Sequence, residues 1–299
     1  MAYNLKDKLV IGISSRSLFD LEKENEIFEN EGLGAYKKFQ RDHENDLLNP
    51  GTAFPLVKAL LRLNELCEER LVEIVIMSRN TPDTGLRAFN SVNQYELDIT
   101  RAAFSGGESL VPYLDAFEVD LFLSKSEIDV QKAVDAGTAA AVIYAPPVEN
   151  NSTDDAVIRI AFDGDAVLFS EESEMIYQTQ GLEAFQAHEA SNSDKNLAEG
   201  PFAKLLKTLS FVQKQYPIEE RPVRIAIVTA RSCPAHTRVI KTLRAWDVDV
   251  DDAFFLGGVS KDKVLKAFGA HIFFDDQDLH VKSASKLVPS ARVPRKGNA

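Results

Sequence analysis

The sequence predicts an α/β fold of two Rossmann-like parallel-sheet units, and three observations carry that expectation. Apolar runs of strand length alternate with helical patterns, the alternation restarts near residue 150, and the two halves can be laid on each other. Strands alternating with helices imply a parallel sheet covered by helices on its faces.

The elements follow in order. LVIGIS at the start reads as a buried strand, AFPLVKALLRLNELCEE as an amphipathic helix and LVEIVIMS as a second strand. A helix around TGLRAFNSVNQ and strands at VDLFLS and AAAVIYA complete the first half. The polar stretch PPVENNSTDD marks a linker, so domains of 1–150 and 151–299 are expected. The second half then repeats the order with VIRIAF, PFAKLLKTLSFVQKQ, VRIAIVT, HTRVIKTLRAW and HIFFDD.

The internal match has polar as well as apolar content. Starting from Ile74 and Ile225 it runs without a gap, pairing Ile76 with Ile227, Arg87 with Arg238, Asp98 with Asp249, Phe104 with Phe255 and Gly106-Gly107 with Gly257-Gly258. Upstream, Leu18-Phe19 falls on Leu168-Phe169 and Glu22 on Glu172. A shared βα rhythm alone does not produce polar identities in register.

Composition bounds the function. With 299 residues and 44% hydrophobic content the chain can bury two ordinary cores. A net charge of −12 argues against a nucleic-acid polymer or an anionic membrane as partner, while a local positive site or a metal can still hold a small anion. Only Cys67 and Cys233 are present, Met1 is followed by the polar AYNLKDK, and no apolar stretch approaches the roughly 20 residues of a membrane span. A soluble, cytoplasmic protein is expected.

The two halves differ where chemistry would sit. In AFDGDAVLFSEESE, Asp163 and Asp165 follow an apolar strand and fall opposite Ile13 and Ser15. Lys261 falls opposite Leu110, and Asp275 and Asp276 opposite Ser124 and Lys125. The charged set is present once and absent once, so the scaffold does not require it. Asp163, Asp165, Thr229, Lys261, Asp275 and Asp276 all lie at or just beyond the carboxyl end of an expected strand, the edge where open parallel sheets bind ligands.

That order of motifs resembles the haloacid dehalogenase superfamily of phosphatases: Asp163-Gly164-Asp165, then Thr229 ending a strand in IAIVTARS, then Lys261, then Asp275-Asp276 in HIFFDDQ. SSRSLF, HEN at His43 to Asn45, NPGTAFPLVKAL, NSVNQY, SGGES, TARS, KTLRAW and FFDDQ extend the resemblance, over nearly the whole chain, to the cytosolic type I 5'-nucleotidase family. The resemblance implies magnesium-dependent hydrolysis of nucleoside 5'-monophosphates. It makes Asp163 the nucleophile that forms an aspartyl-phosphate and Asp165 the acid and then base. Gly164 would let the backbone turn tightly, Thr229 would donate to a phosphoryl oxygen, and Lys261 would balance charge. Magnesium would take Asp163, the main-chain carbonyl of Asp165, and Asp276 in preference to Asp275.

Residues 166–200 are too long for a simple βα loop and are expected to form a small helical cap. Gly164, Ala230, Arg231, Phe169, Arg16 and Arg79 make up the expected substrate-binding set, and Tyr177 and Phe185 are further candidates for a base contact. His188-Glu189 is expected to serve cap structure or hydrogen bonding and not metal. The first half is expected to be a degenerate domain without catalytic carboxylates. Two alternatives stay open: a phosphatase for another small phosphate monoester, and a nucleotide-binding regulator with little turnover. Homo-oligomerisation also stays open.

Overall fold

A computed structural model describes residues 4–5, 8–65, 69–145, 157–232 and 235–297. Both cysteines and the PPVENNSTDD linker lie outside the described residues. The chain divides into Met1–Ile143 with Lys296–Ala299, and Tyr144–Arg295. The change of unit thus falls at Ile143/Tyr144, a few residues before the expected 150.

In the first unit, β1 (Leu9–Ile13) leads through a short helix α1 (Ser15–Leu18) into α2 (Glu22–Asp42) and α3 (Phe54–Arg62). There follow β2 (Val72–Ser78), α4 (Pro82–Gln94), β3 (Arg101–Phe104), α5 (Val111–Ala116), β4 (Leu121–Ser124), α6 (Glu127–Asp135) and β5 (Ala140–Ile143). The strand order is β3-β2-β1-β4-β5, with parallel pairing throughout. Every residue of β1 and β2 is buried, as a strand covered on both faces requires. Gly12 permits the close packing: a Cβ there would stand 3.2 Å from Met77 and 3.3 Å from Phe122. Thr81 caps α4 in a reciprocal box with Thr84, and Pro82 supplies its first turn.

In the second unit, β6 (Ile158–Phe162) is followed by α7 (Glu172–Ser191), α8 (Ala203–Gln213), β7 (Val223–Thr229), α9 (His236–Ala245) and β8 (Asp252–Phe255). It ends with α10 (Lys261–Phe268), β9 (Ile272–Asp275), α11 (Asp278–Ala284) and β10 (Ser290–Arg292). The order is β8-β7-β6-β9-β10, again parallel. Isolated antiparallel bridges join Phe19 to Pro50 in one unit and Phe169 to Glu199 in the other. Each unit has its own core, one around Val75, Phe122 and Val130, the other around Val228, Leu265 and Phe273.

The first long helix of each unit is kinked at a glycine with positive φ: Gly32 (φ 82°) in α2 and Gly181 (φ 85°) in α7. The 166–200 segment is therefore a kinked helix with flanking turns. Among the described residues no helix is long and apolar enough to cross a membrane.

The strand register corrects one expected equivalence. Ile13 pairs with Ile76 as Phe162 pairs with Ile227, and the Ser14 amide donates to the Leu123 carbonyl (2.9 Å) as the Asp163 amide donates to that of Phe274 (2.8 Å). Ser14, not Ile13, holds the position that Asp163 holds in its own unit. The turn after β6 carries one residue more than the turn after β1, a difference that the ungapped pairing of Ile13 with Asp163 leaves out.

Candidate active site

Four chain segments of the second unit converge at the carboxyl ends of its strands. Asp163 follows β6, Thr229 ends β7, Lys261 opens α10, and Asp275 ends β9 with Asp276 one residue on. Lys261 is the centre of the arrangement. Its ammonium donates to Asp163 Oδ1 and to Asp275 Oδ2, both at 2.6 Å, and all three residues are buried. Carboxyl oxygens of Asp163, Asp275 and Asp276 lie within 4.8 Å of one another.

Charge in this cluster is incompletely balanced. Burial pushes the Asp163 carboxyl up to about 8, with Lys261 opposing and Asp275 adding to the rise. Burial also pushes Asp276 up, although Arg295 Nη2 donates to its Oδ2 at 2.9 Å. Against the same effect of burial, Lys261 and His280, whose Nδ1 is 3.3 Å away, hold Asp275 below the usual carboxylate range. Burial would lower the Lys261 ammonium, but its two carboxylates hold it above its ordinary value. Asp276 Oδ1 is buried without a hydrogen-bond partner. A buried carboxylate oxygen with no donor, beside two further carboxylates, is a donor set that fits a hard divalent cation.

Thr229 Oγ1 accepts from the Arg231 amide at 3.2 Å, which leaves its hydroxyl hydrogen for another acceptor. Gly164 lies against Thr229, where a Cβ would stand 3.4 Å from Oγ1. The left-handed residue of the Asp163–Ala166 turn is Ala166 (φ 60°), so the tight turn expected of Gly164 falls two residues later.

Two residues of the expected substrate-binding set lie inside the protein. Phe169 is fully buried with its ring 5.5 Å from Trp246, and its amide donates to the Gly164 carbonyl, so it packs beneath the turn and has no face for a base. The Arg231 side chain is 1% exposed and engaged internally. It donates to both oxygens of Asp165 and, through Nη1, to Glu189. Ala230 is exposed just beyond β7. In α7, Tyr177 is exposed, and Phe185 is buried with the Arg231 guanidinium 5.4 Å from its ring centroid. Arg16 and Arg79 belong to the first unit.

Glu189 is the residue of the candidate site whose weight is least apparent from sequence. Its buried carboxylate accepts from Ser173 Oγ (2.8 Å), Arg238 Nη1 (2.9 Å) and Arg231, and this ties α7 to the residue holding Asp165. Pairing beside His188 had marked it only for cap structure or hydrogen bonding. Arg295 was missed: it lies in the terminal VPRKG stretch, where no periodicity points at the site. His280 was missed too, although its place on α11, directly after the acidic pair, could have suggested it.

The 5'-nucleotidase family model matches residues 1–299, the whole chain. Human cytosolic 5'-nucleotidase 1B is 39% identical over 293 residues, which is 94% of this chain and 48% of that protein. The chain therefore spans about half the length of this curated relative. Among solved structures, a protein described as a universal stress protein from Pseudomonas aeruginosa UCBPP-PA14 aligns over 78% of this chain and 86% of its own. It does so at 7% identity and a TM-score of 0.33, too low to bear on fold or function.

Proposed function

The chain belongs to the 5'-nucleotidase family, and from that premise we propose that its second unit hydrolyses nucleoside 5'-monophosphates to nucleoside and phosphate. The carrying observation is the buried Asp163–Lys261–Asp275 bridge with the unpartnered Asp276 oxygen beside it. Packing gives no reason to bury two carboxylates against one ammonium with a third beside them.

Asp163 is the nucleophile in this reading. Lys261 fixes Oδ1, and among the described residues Oδ2 accepts no hydrogen bond, so Oδ2 attacks phosphorus and forms the aspartyl-phosphate. Asp165 gives a proton to the departing 5'-oxygen and then takes one from the water that hydrolyses the intermediate. Arg231 aims Asp165 through one N–H···O bond to each oxygen, which leaves a lone pair on each for proton transfer. The Thr229 hydroxyl and the Lys261 ammonium stabilise negative charge on the phosphoryl group. Asp163, Asp276 and Asp275 would hold magnesium, with the Asp165 main-chain carbonyl. Once bound, the ion supplies the positive charge that offsets repulsion between a phosphate dianion and the carboxylates.

The two units are read as a duplication in which 1–150 lost the catalytic set. Identical strand orders, helices kinked at Gly32 and Gly181, and the paired bridges at Phe19 and Phe169 support it. The kinked α7 is read as the cap. A cytoplasmic enzyme acting on free nucleotides, with no polymer or membrane partner, completes the proposal. Phosphate release from a panel of nucleoside monophosphates and glucose phosphate, with magnesium and with excess chelator, tests it. Release that persists in chelator, or that prefers the sugar phosphate, overturns it.

A further inference from the structure

The first unit has a cavity of about 440 Å³ at the edge where its counterpart carries the carboxylates. Its floor includes Ser14, Ser78 and Ser124, at or directly after the carboxyl ends of β1, β2 and β4. By strand register and position these stand for Asp163, Thr229 and Asp275, while the buried Leu110 stands for Lys261. Serine hydroxyls thus replace Asp163 and Asp275, Ser78 keeps the hydroxyl of Thr229, and no carboxylate stands at the nucleophile position. Among the described residues of this unit, the candidate metal-binding trio has no counterpart.

The wall supplies cation and aromatic surface instead. Arg16 bonds Glu22 through Nη2 at 3.2 Å, while its Nε is buried with no hydrogen-bond partner. The Arg79 guanidinium is held by the Gly107 carbonyl at 2.9 and 3.1 Å, which fixes it at the rim. Two acids also line the cavity. Glu24 is neutralised by a buried pair with Arg87 at 2.6 Å, and Asp129 faces Arg79 at 3.7 Å. From α2, Phe28 and Tyr36 meet edge to face at 5.9 Å, and Phe28 stays 47% exposed. Tyr36 is pinned by its hydrogen bond to Asn80 Oδ1 at 2.9 Å.

Fixed guanidiniums and hydroxyls suit a phosphate, and an exposed aromatic ring suits stacking with a flat base. We infer that this cavity is a second nucleotide site, which binds a nucleoside monophosphate without metal and does not hydrolyse it. The inference draws on the duplication reading for its equivalences, but its ligand chemistry comes from the cavity itself.

The test is equilibrium binding of adenosine 5'-monophosphate to the full chain in excess chelator, with ribose 5-phosphate, adenosine and inorganic phosphate as separate arms. Saturable binding by the monophosphate is expected, with each fragment weaker. Adenosine binding as tightly as its monophosphate would overturn the phosphate assignment, and ribose 5-phosphate binding equally well would overturn the base assignment. The R16A/R79A double variant should bind at least about tenfold more weakly, the loss of about one charge-assisted hydrogen bond. Hydrogen exchange on the unmodified protein gives a readout independent of that variant's folding. Ligand in chelator should protect residues 25–37 and 105–110. No saturable binding in chelator, or protection confined to the second unit, overturns the inference. Phosphate release with magnesium is a separate measurement, so hydrolysis and this site can fail independently.

Discussion

Arg231 places Nε on Asp165 Oδ2 at 2.8 Å and Nη2 on Oδ1 at 2.6 Å, so one guanidinium spans both oxygens of the carboxylate. Its remaining nitrogen reaches Glu189 in α7. The orientation of Asp165 is thereby mechanically linked to the kinked helix. A motif reading sees only an arginine two residues after a strand-end threonine.

Arg231→Lys should keep the fold and lower kcat, because an ammonium cannot span both oxygens. The loss should be greater with nucleoside monophosphates than with activated aryl phosphates, whose leaving groups need no strong acid. Equal losses on both substrates would detach Arg231 from proton transfer. Arg231→Ala leaves two buried carboxylates short of a cation and should cost about 3–5 kcal/mol in denaturant unfolding.

Asp163→Asn should abolish phosphate release, by roughly 10⁴-fold or more, with a native circular dichroism spectrum. The first unit supports this expectation, since Ser14 occupies the equivalent register position without loss of the strand. Turnover of the purified variant near the wild-type rate would remove Asp163 as nucleophile.

The buried strands and the motifs of the candidate site were legible because they are local. β1 is an apolar run and β2, β6 and β7 are largely apolar with one charged residue near the start, Glu73, Arg159 and Arg224, while the charged set differs between halves with many matching positions. The edge strands β3 and β8 were not legible: each is four residues long, opens on a charged residue and is mostly half-buried, so its apolar stretch, Ala102–Phe104 or Ala253–Phe255, is too short to mark a strand. The fate of Phe169 and Arg231 was hidden for another reason. Both flank a motif residue in sequence, but Trp246 and Glu189, which bury them, come from distant segments. The one-residue offset between Ser14 and Asp163 is also invisible without hydrogen-bond register.

Magnesium should raise the thermal midpoint of the wild-type protein, because a ligand that binds only the folded state stabilises it by mass action. Asp276→Asn should weaken that response, seen as a higher magnesium concentration for half-maximal stabilisation and for half-maximal phosphate release. The Asp276 oxygen with no partner is the reason to expect more from this residue than from Asp275, which Lys261 and the Gln277 amide already engage. An unchanged magnesium response in Asp276→Asn, with a lost response in Asp275→Asn, would reverse the order of the two ligands.

Glu189 sets the last expectation, which concerns acid stability. Burial raises its carboxyl, but Arg231, Ser173 and Arg238 outweigh burial and hold it below its ordinary value. A carboxyl depressed in the folded state stabilises fully above its unfolded pKa of about 4.3, and that contribution disappears as pH falls through the lower folded value. Glu189→Gln keeps an acceptor for Ser173 but removes the charge facing both arginines. Its deficit against wild type should be about 3 kcal/mol at pH 7 and should shrink as pH falls below about 4. Denaturant midpoints of the two proteins between pH 3 and pH 7 measure that difference directly. A deficit that stays constant down to pH 3 would mean that Glu189 acts through shape and not through charge.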